Sequence, residues 1–220
     1  VEGSISGCTN GVQNDLTVAN VELLAPVCPE GQSASRVAVG GVAGMVMNNV
    51  TDCNNYAPIK VKGSFHHGGG TTYFGTGKET GVMTAGVVAQ TGPSTNGQNF
   101  SVTNCHNYGP LTINYLQAGN ESGIKHYAGG VGGDVYTEMS NCSNGADINI
   151  YSTGSINYLG GVAGYIGYDA NILTNNGLIN YNFHKSGTNH LGGNCYIGGV
   201  LGWGNASYSV TNAINYKKVT

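Results

Sequence analysis

Charge is scarce in this sequence: 9% of its 220 residues are Asp, Glu, Lys or Arg, and the formal net charge is -3. Such a chain has no electrostatic footprint for a polyanion, so neither nucleic acid nor an acidic membrane surface is an expected partner. Arg36 is the sole arginine, which argues against phosphate recognition through guanidinium forks. No run of 18 apolar residues occurs, which excludes a transmembrane helix. No secretory signal opens at Val1, so the stretch is expected to be a mature or excised piece. No segment keeps three-and-four apolar spacing over a dozen residues, and 38 evenly spread glycines disfavour helix throughout. A CxxC pair, a Cys/His zinc spacing and a GxSxG elbow are all missing, so neither a metal nor another cofactor is expected.

What the chain does have is repetition. A glycine anchor appears at Gly40–Gly44, Ala85–Ala89, Gly129–Gly133, Gly160–Gly164 and Gly198–Gly202. Behind each anchor comes a second signature: VTDCNNYAPIKV from Val50, VTNCHNYGPLTI from Val102, MSNCSNGADINI from Met139, NILTNNGLINY from Asn171 and TNAINYKKV from Thr211. Gly7–Gly11 resembles the tail of a further copy. Aligned, one column reads Cys8, Cys53, Cys105, Cys142, Leu173, Ala213. Two residues on, another reads Asn10, Asn55, Asn107, Asn144, Asn175, Asn215 without exception.

A position shared by Cys, Leu and Ala is an inward apolar site, with cysteine acting as a small buried hydrophobe. An invariant Asn suits a turn residue that visits the left-handed region or bonds its own backbone. Anchors recur at intervals between 31 and 45 residues, a range that signals solenoids, propellers or arrays. The shortest interval holds three short strands with their turns, the arithmetic of a parallel β-helix. We therefore expect an all-β parallel β-helix of about five to six coils, with a five-bladed β-propeller as the alternative. The Asn144-Gly145 and Asn176-Gly177 pairs favour hairpins and so the alternative; Tyr56-Ala57-Pro58 and Tyr108-Gly109-Pro110 in the same place suit a solenoid corner. Residues 1–36 read as a partial repeat plus an irregular coil or cap, and 37–220 as five repeats of one continuous domain. Polar inserts at 63–81, 90–100, 117–127 and 183–195 read as loops. The last repeat runs to Thr220 with no polar cap after it.

Four of the six cysteines share the apolar column and are expected as unpaired core thiols, although stacked rungs about 4.8 Å apart leave room for a bridge. Cys28 and Cys195 lie off the column. Asp134 and Glu138, with Asp147 and Asp169, are the acids a glycosidase would need, but read first as solvated turn residues. Lys60 and Lys62 share a strand face. His66, His67, His106, His126, His184 and His190 lack metal spacing and read as loop residues. The stronger lead is aromatic: Tyr136, Tyr165, Tyr168, Trp203 and Tyr208 follow the anchors and would share one side of a stack. Such rings beside Asn and Thr could bind neutral sugars or simply stabilise the stack. Sequons stand at Asn49, Asn99, Asn120, Asn141 and Asn205.

The anchor followed by the NCxNxG signature resembles the GLUG-type tandem repeat of bacterial surface and adhesin-like proteins. The matching residues are Gly40–Gly44 with Asp52–Tyr56, Gly129–Gly133 with Asn141–Gly145, and Gly160–Gly164 with Asn175–Gly177. The resemblance covers roughly 37–216 and departs from the pattern at Ala85, Leu173 and Ala213. It implies a β-solenoid on a cell-surface or extracellular protein, and it brings no catalytic set. The expected function is a non-enzymatic surface module, an adhesin, stalk or fibre element whose partners are neighbouring repeats, other copies or glycans. The alternatives are a carbohydrate-binding module and a polysaccharide lyase or hydrolase.

Overall fold

The computed structural model describes residues 3–13, 15, 21–24, 36–65, 81–92, 100–117, 125–152, 156–183 and 194–220. Its strands assemble into four sheets, and every pairing between named strands is parallel and joins one coil to the next. The architecture is a parallel β-helix. A propeller would keep antiparallel strands within each blade; here each sheet runs across the repeats. The Asn-Gly pairs close no hairpin, since the strands on either side of them belong to different sheets.

Each coil visits the sheets in one order. Sheet I contains Arg36–Gly40, Gly81–Ala85, Lys125–Gly129, Ile156–Gly160 and Cys195–Gly198. The anchor then turns the chain into sheet II, formed by Ala43–Val46, Val88–Thr91, Gly132–Val135, Ala163–Ile166 and Leu201–Gly204. Sheet III follows, with Glu138–Asn144, Ala170–Asn175 and Val210–Asn215 as continuous strands. In earlier coils it is split into pairs such as Val50–Thr51 and Asn54–Asn55. A corner leads to sheet IV, made of Val21–Leu24, Ile59–Phe65, Leu111–Gln117, Ile148–Ser152 and Ile179–Phe183.

Three apolar layers hold the coil together. Sheets II and III enclose Val50, Val102, Val131, Met139, Ile166 and Leu173 together with Cys53, Cys105 and Cys142. Sheets I and IV enclose Ile59, Leu111, Ile113, Ile148 and Leu159. Each such side chain, fully buried, contributes about 1.5–3 kcal/mol. Sheets I and II also pack on each other, through Met83, Ala89 and Tyr127. A column of small residues allows that third contact: a Cβ on Gly44 would lie 2.8 Å from the Ala38 carbonyl, and one on Gly164 2.7 Å from the Ala128 nitrogen.

The left-handed residue of each coil is Asp52, Asn104, Asn141, Ile172 or Asn212, one position ahead of the apolar column. At Asp52 and Asn104 it falls in the break between two short strands, whereas Asn141, Ile172 and Asn212 lie within continuous ones. The invariant Asn is therefore not the left-handed residue. Instead it sits at the end of a strand with its carboxamide turned inward, and Asn55, Asn107, Asn144 and Asn175 are wholly buried. Successive copies are register partners. Each Nδ2 donates to the next coil's Oδ1 at 2.8 Å, from Asn10 through to Asn215. The same nitrogen also donates to the carbonyl two residues on, at Ala57, Gly109, Ala146 and Gly177. The glycine anchor meets this ladder. A Cβ on Gly41 would lie 2.6 Å from Asn55 Oδ1, and Gly86, Gly130, Gly161 and Gly199 stand equally close to Asn107, Asn144, Asn175 and Asn215. One contact therefore explains both halves of the repeat signature.

No disulfide joins the described cysteines: Cys8, Cys53, Cys105, Cys142 and Cys195 are free, and Cys28 lies outside the described residues. The buried thiols donate to carbonyls two residues back, Cys53 to Thr51 at 3.1 Å and Cys142 to Ser140 at 3.2 Å. Burial pushes Cys53 up to about 11 and raises Cys142 well above the usual thiol range. Because the thiolate is the nucleophile, a Cys28→Ser protein is expected to alkylate rapidly at Cys195 and more slowly at Cys8. Cys53, Cys105 and Cys142 should react only in denaturant; equal labelling of all five under native conditions would contradict this packing.

Candidate functional site

The nominated side chains separate into several places. Tyr165 and Trp203 are register partners on sheet II, and Tyr127, Tyr158 and Tyr196 form the facing column on sheet I. Those three rings stack at 5.0 and 5.2 Å. Trp203 meets Tyr196 edge-on at 4.4 Å, and Tyr136 leans on Tyr165 at 5.2 Å. Tyr127 is buried, so the inner part of this ladder packs sheets I and II together; Trp203 is 39% exposed. Tyr168 and Tyr208 are not part of it. They stack on each other at 4.8 Å.

The acids do not form a loop cluster. Asp134 lies buried within a sheet II strand and accepts from Gln90 Nε2 at 3.0 Å. Glu138 starts the next sheet III strand and is exposed. Asp147 and Asp169 each accept a backbone N–H from the following coil, that of Leu178 at 2.9 Å and that of Ser209 at 2.7 Å. Two of the four are thus inter-coil clips, for which a short acceptor beside an unpaired N–H is enough.

Two histidines leave the loop class. His106 lies in sheet III between Asn104 Oδ1 and Ser143 Oγ, with burial lowering its pKa. His126 is wholly buried in sheet I. Its Nδ1 lies 3.0 Å from Ser152 Oγ and 3.2 Å from Asn157 Oδ1, and its ring packs on Tyr115 at 4.2 Å. Tyr115 is in turn hydrogen-bonded to Thr84, and Asn157 Nδ2 donates to Cys195 Sγ, which also contacts the Tyr181 hydroxyl at 3.2 Å. This polar seam runs from the interior to exposed Cys195 and draws its members from sheets I and IV. Sequence reading missed it because its members come from different coils. His66, His67, His184 and His190 lie outside the described residues, and among the described residues no three metal-ligating side chains converge.

Burial lowers the pKa of His126 to about 3, against about 6.5 in the unfolded chain. The unfolded state therefore binds the extra proton between those values, and stability falls with acidification across that window. Relative to a His126→Gln variant, the protein should lose stability as pH drops from about 6.5 towards 3 at a slope approaching 1.4 kcal/mol per unit. Parallel denaturation curves at several pH values check this; identical pH dependence in both proteins would refute it.

Of the sequons, Asn49 uses its Oδ1 to accept the Ser101 N–H, Asn205 accepts from Ser207, and Asn141 is exposed in the left-handed conformation. Asn99 and Asn120 lie outside the described residues, as does most of the inserts at 63–81, 90–100, 117–127 and 183–195.

Among the described residues, the outer face of sheet IV carries a concave surface. It is an open trough of about 490 Å³ across three consecutive coils. Two columns in register build it: Thr112, Asn149 and Asn180, then Asn114, Tyr151 and Asn182. Asn180 Nδ2 donates to Asn149 Oδ1 at 2.8 Å. No acidic or basic side chain lines it. Lys60 and Lys62 continue the columns one coil beyond.

No family model, curated protein or solved structure matches the chain.

Proposed function

We propose that this chain is a non-enzymatic repeat module of an extracellular or cell-surface protein, a stiff adhesin, stalk or fibre segment. The observation that carries the reading is the unbroken carboxamide ladder, which ties every coil to the next along the interior. A shaft built this way resists bending at each coil, and its outer faces remain available for contact. The resemblance of the repeat to the GLUG type supports the location. A charge-poor surface of Asn, Thr, Ser and Tyr suits the same setting. The dispersal of Asp134, Glu138, Asp147 and Asp169 favours a scaffold over a lyase or hydrolase, which needs two carboxylates facing one cleft.

Shaving intact source cells with a protease that cannot cross membranes tests the location. Release of peptides from this chain without lysis is expected, and complete protection would overturn the reading. End-to-end association belongs to the same proposal. Light scattering behind size exclusion checks it, and a strict monomer at high concentration would remove that part.

A further inference from the structure

The trough on the outer face of sheet IV is concave, lined by no charged side chain and spread over successive coils. Its two columns repeat Asn, Thr and Tyr with the spacing of the coils, about 4.8 Å. Asn149 and Asn180 are already locked by their mutual hydrogen bond. Asn149 Nδ2 and the Asn182 carboxamide retain bonding capacity, and Asn114 Oδ1 is shielded from water without a partner. A carboxamide both donates and accepts, as a sugar hydroxyl does, and between Asn114 and Asn182 stands the ring of Tyr151, an apolar platform with a polar tip. Few binding sites need more than an apolar floor and several fixed polar groups.

We infer that this trough binds a neutral oligosaccharide whose chain runs along the helix axis, crossing the strands of sheet IV. Charge selects the class: an acidic glycan needs cations along its length, whereas Lys60 and Lys62 stand only beyond one end. A repeating ligand also suits a surface that offers similar groups at each coil. The inference rests on the surface-module reading but concerns a separate face, and it would survive failure of the location test because it is read out on purified protein.

The experiment is calorimetric titration of the whole chain with cello-, xylo-, manno- and malto-oligosaccharides of increasing length, at low and high salt. Binding of at least one series is expected, tightening with length and indifferent to salt. Tyr151→Ala and Asn182→Ala should each weaken it about ten-fold, the equivalent of about 1.4 kcal/mol, with the fold retained because neither side chain belongs to the apolar core. Trp203→Ala should leave it unaltered. No binding by any series overturns the inference. So does binding that Trp203→Ala abolishes and Tyr151→Ala does not, or binding that is lost at high salt. Concentration-dependent dimerisation that Tyr151→Ala removes would likewise assign the face to a second copy and overturn it.

Discussion

Asn144→Asp is expected to cost the fold about 3–5 kcal/mol at neutral pH, the order found when a buried charge is left uncompensated. The change is isosteric and replaces one NH2 by oxygen. That NH2 donates to Asn175 Oδ1 at 2.8 Å and to the Ala146 carbonyl at 2.7 Å. The new oxygen would face two acceptors inside a site that excludes water. Proteins of this size are stable by only about 5–15 kcal/mol, so the variant should melt far below the parent.

The sign of the pH response separates charge from shape. In the folded variant the carboxyl pKa is raised by burial and by the opposing oxygens. Its protonated form can donate once more, so the native state holds its proton more tightly than the unfolded chain. Stability is then greatest below the unfolded value of about 3.9 and is lost as pH rises through the folded value. Acidification should therefore narrow the gap between variant and parent. Asn144→Ala provides the comparison: it strands the Ala146 carbonyl at about 1–3 kcal/mol and leaves Asn175 Oδ1 with only the Gly177 N–H, with no such rescue. Chemical denaturation of the three proteins across pH checks the pattern, and an Asp variant as stable as the parent at neutral pH would remove the ladder as a principal restraint.

Gly161→Val should be comparably damaging. A Cβ there would collide with the Gly199 carbonyl and the Asn175 carboxamide, and neither can retreat. The first belongs to the backbone of the next coil, and the second is held by Asn144, Asn215 and its own Gly177 carbonyl. Overpacking a rigid site costs about 1–3 kcal/mol and more when backbone must move; valine adds two methyls to that clash. Gly145→Ala is the control, because its Cβ would meet the Tyr108 ring at 3.2 Å and the Asn107 carbonyl at an ordinary 3.6 Å, and should cost less than about 1 kcal/mol. Equal melting temperatures for Gly161→Val and Gly145→Ala would show that the anchor does not bear on the ladder.

The repeat made the architecture legible before any coordinates. The column of Cys53, Cys105, Cys142, Leu173 and Ala213 marks one inward position per repeat, which suits stacked coils, and the parallel pairing from coil to coil removes the propeller alternative. Local conformation was harder to read. The invariance of the Asn column points to a demanding role, but a left-handed residue is not the demanding one. Ile172 fills that position in one coil, where the conformation costs roughly 1–2 kcal/mol. No other side chain reproduces the paired donor and acceptor that the ladder needs. The contact of sheets I and II was also signalled, by Gly44, Ala89, Gly133, Gly164 and Gly202, but small residues beside an anchor pass easily for turn composition. The seam around His126 had no sequence signal, since Ser152 and Asn157 lie 26 and 31 residues away.

The hydrogen bonds of the Asn column all run one way, from Asn10 towards Asn215, so their dipoles add along the shaft and each polarises the next. The ladder is thus vectorial across the described coils, each side-chain oxygen facing the preceding coil and each side-chain amide the next. Any coil that extends it past Asn215 must present an oxygen to that amide. Two such shafts can therefore continue one another's interior only when they point in the same direction.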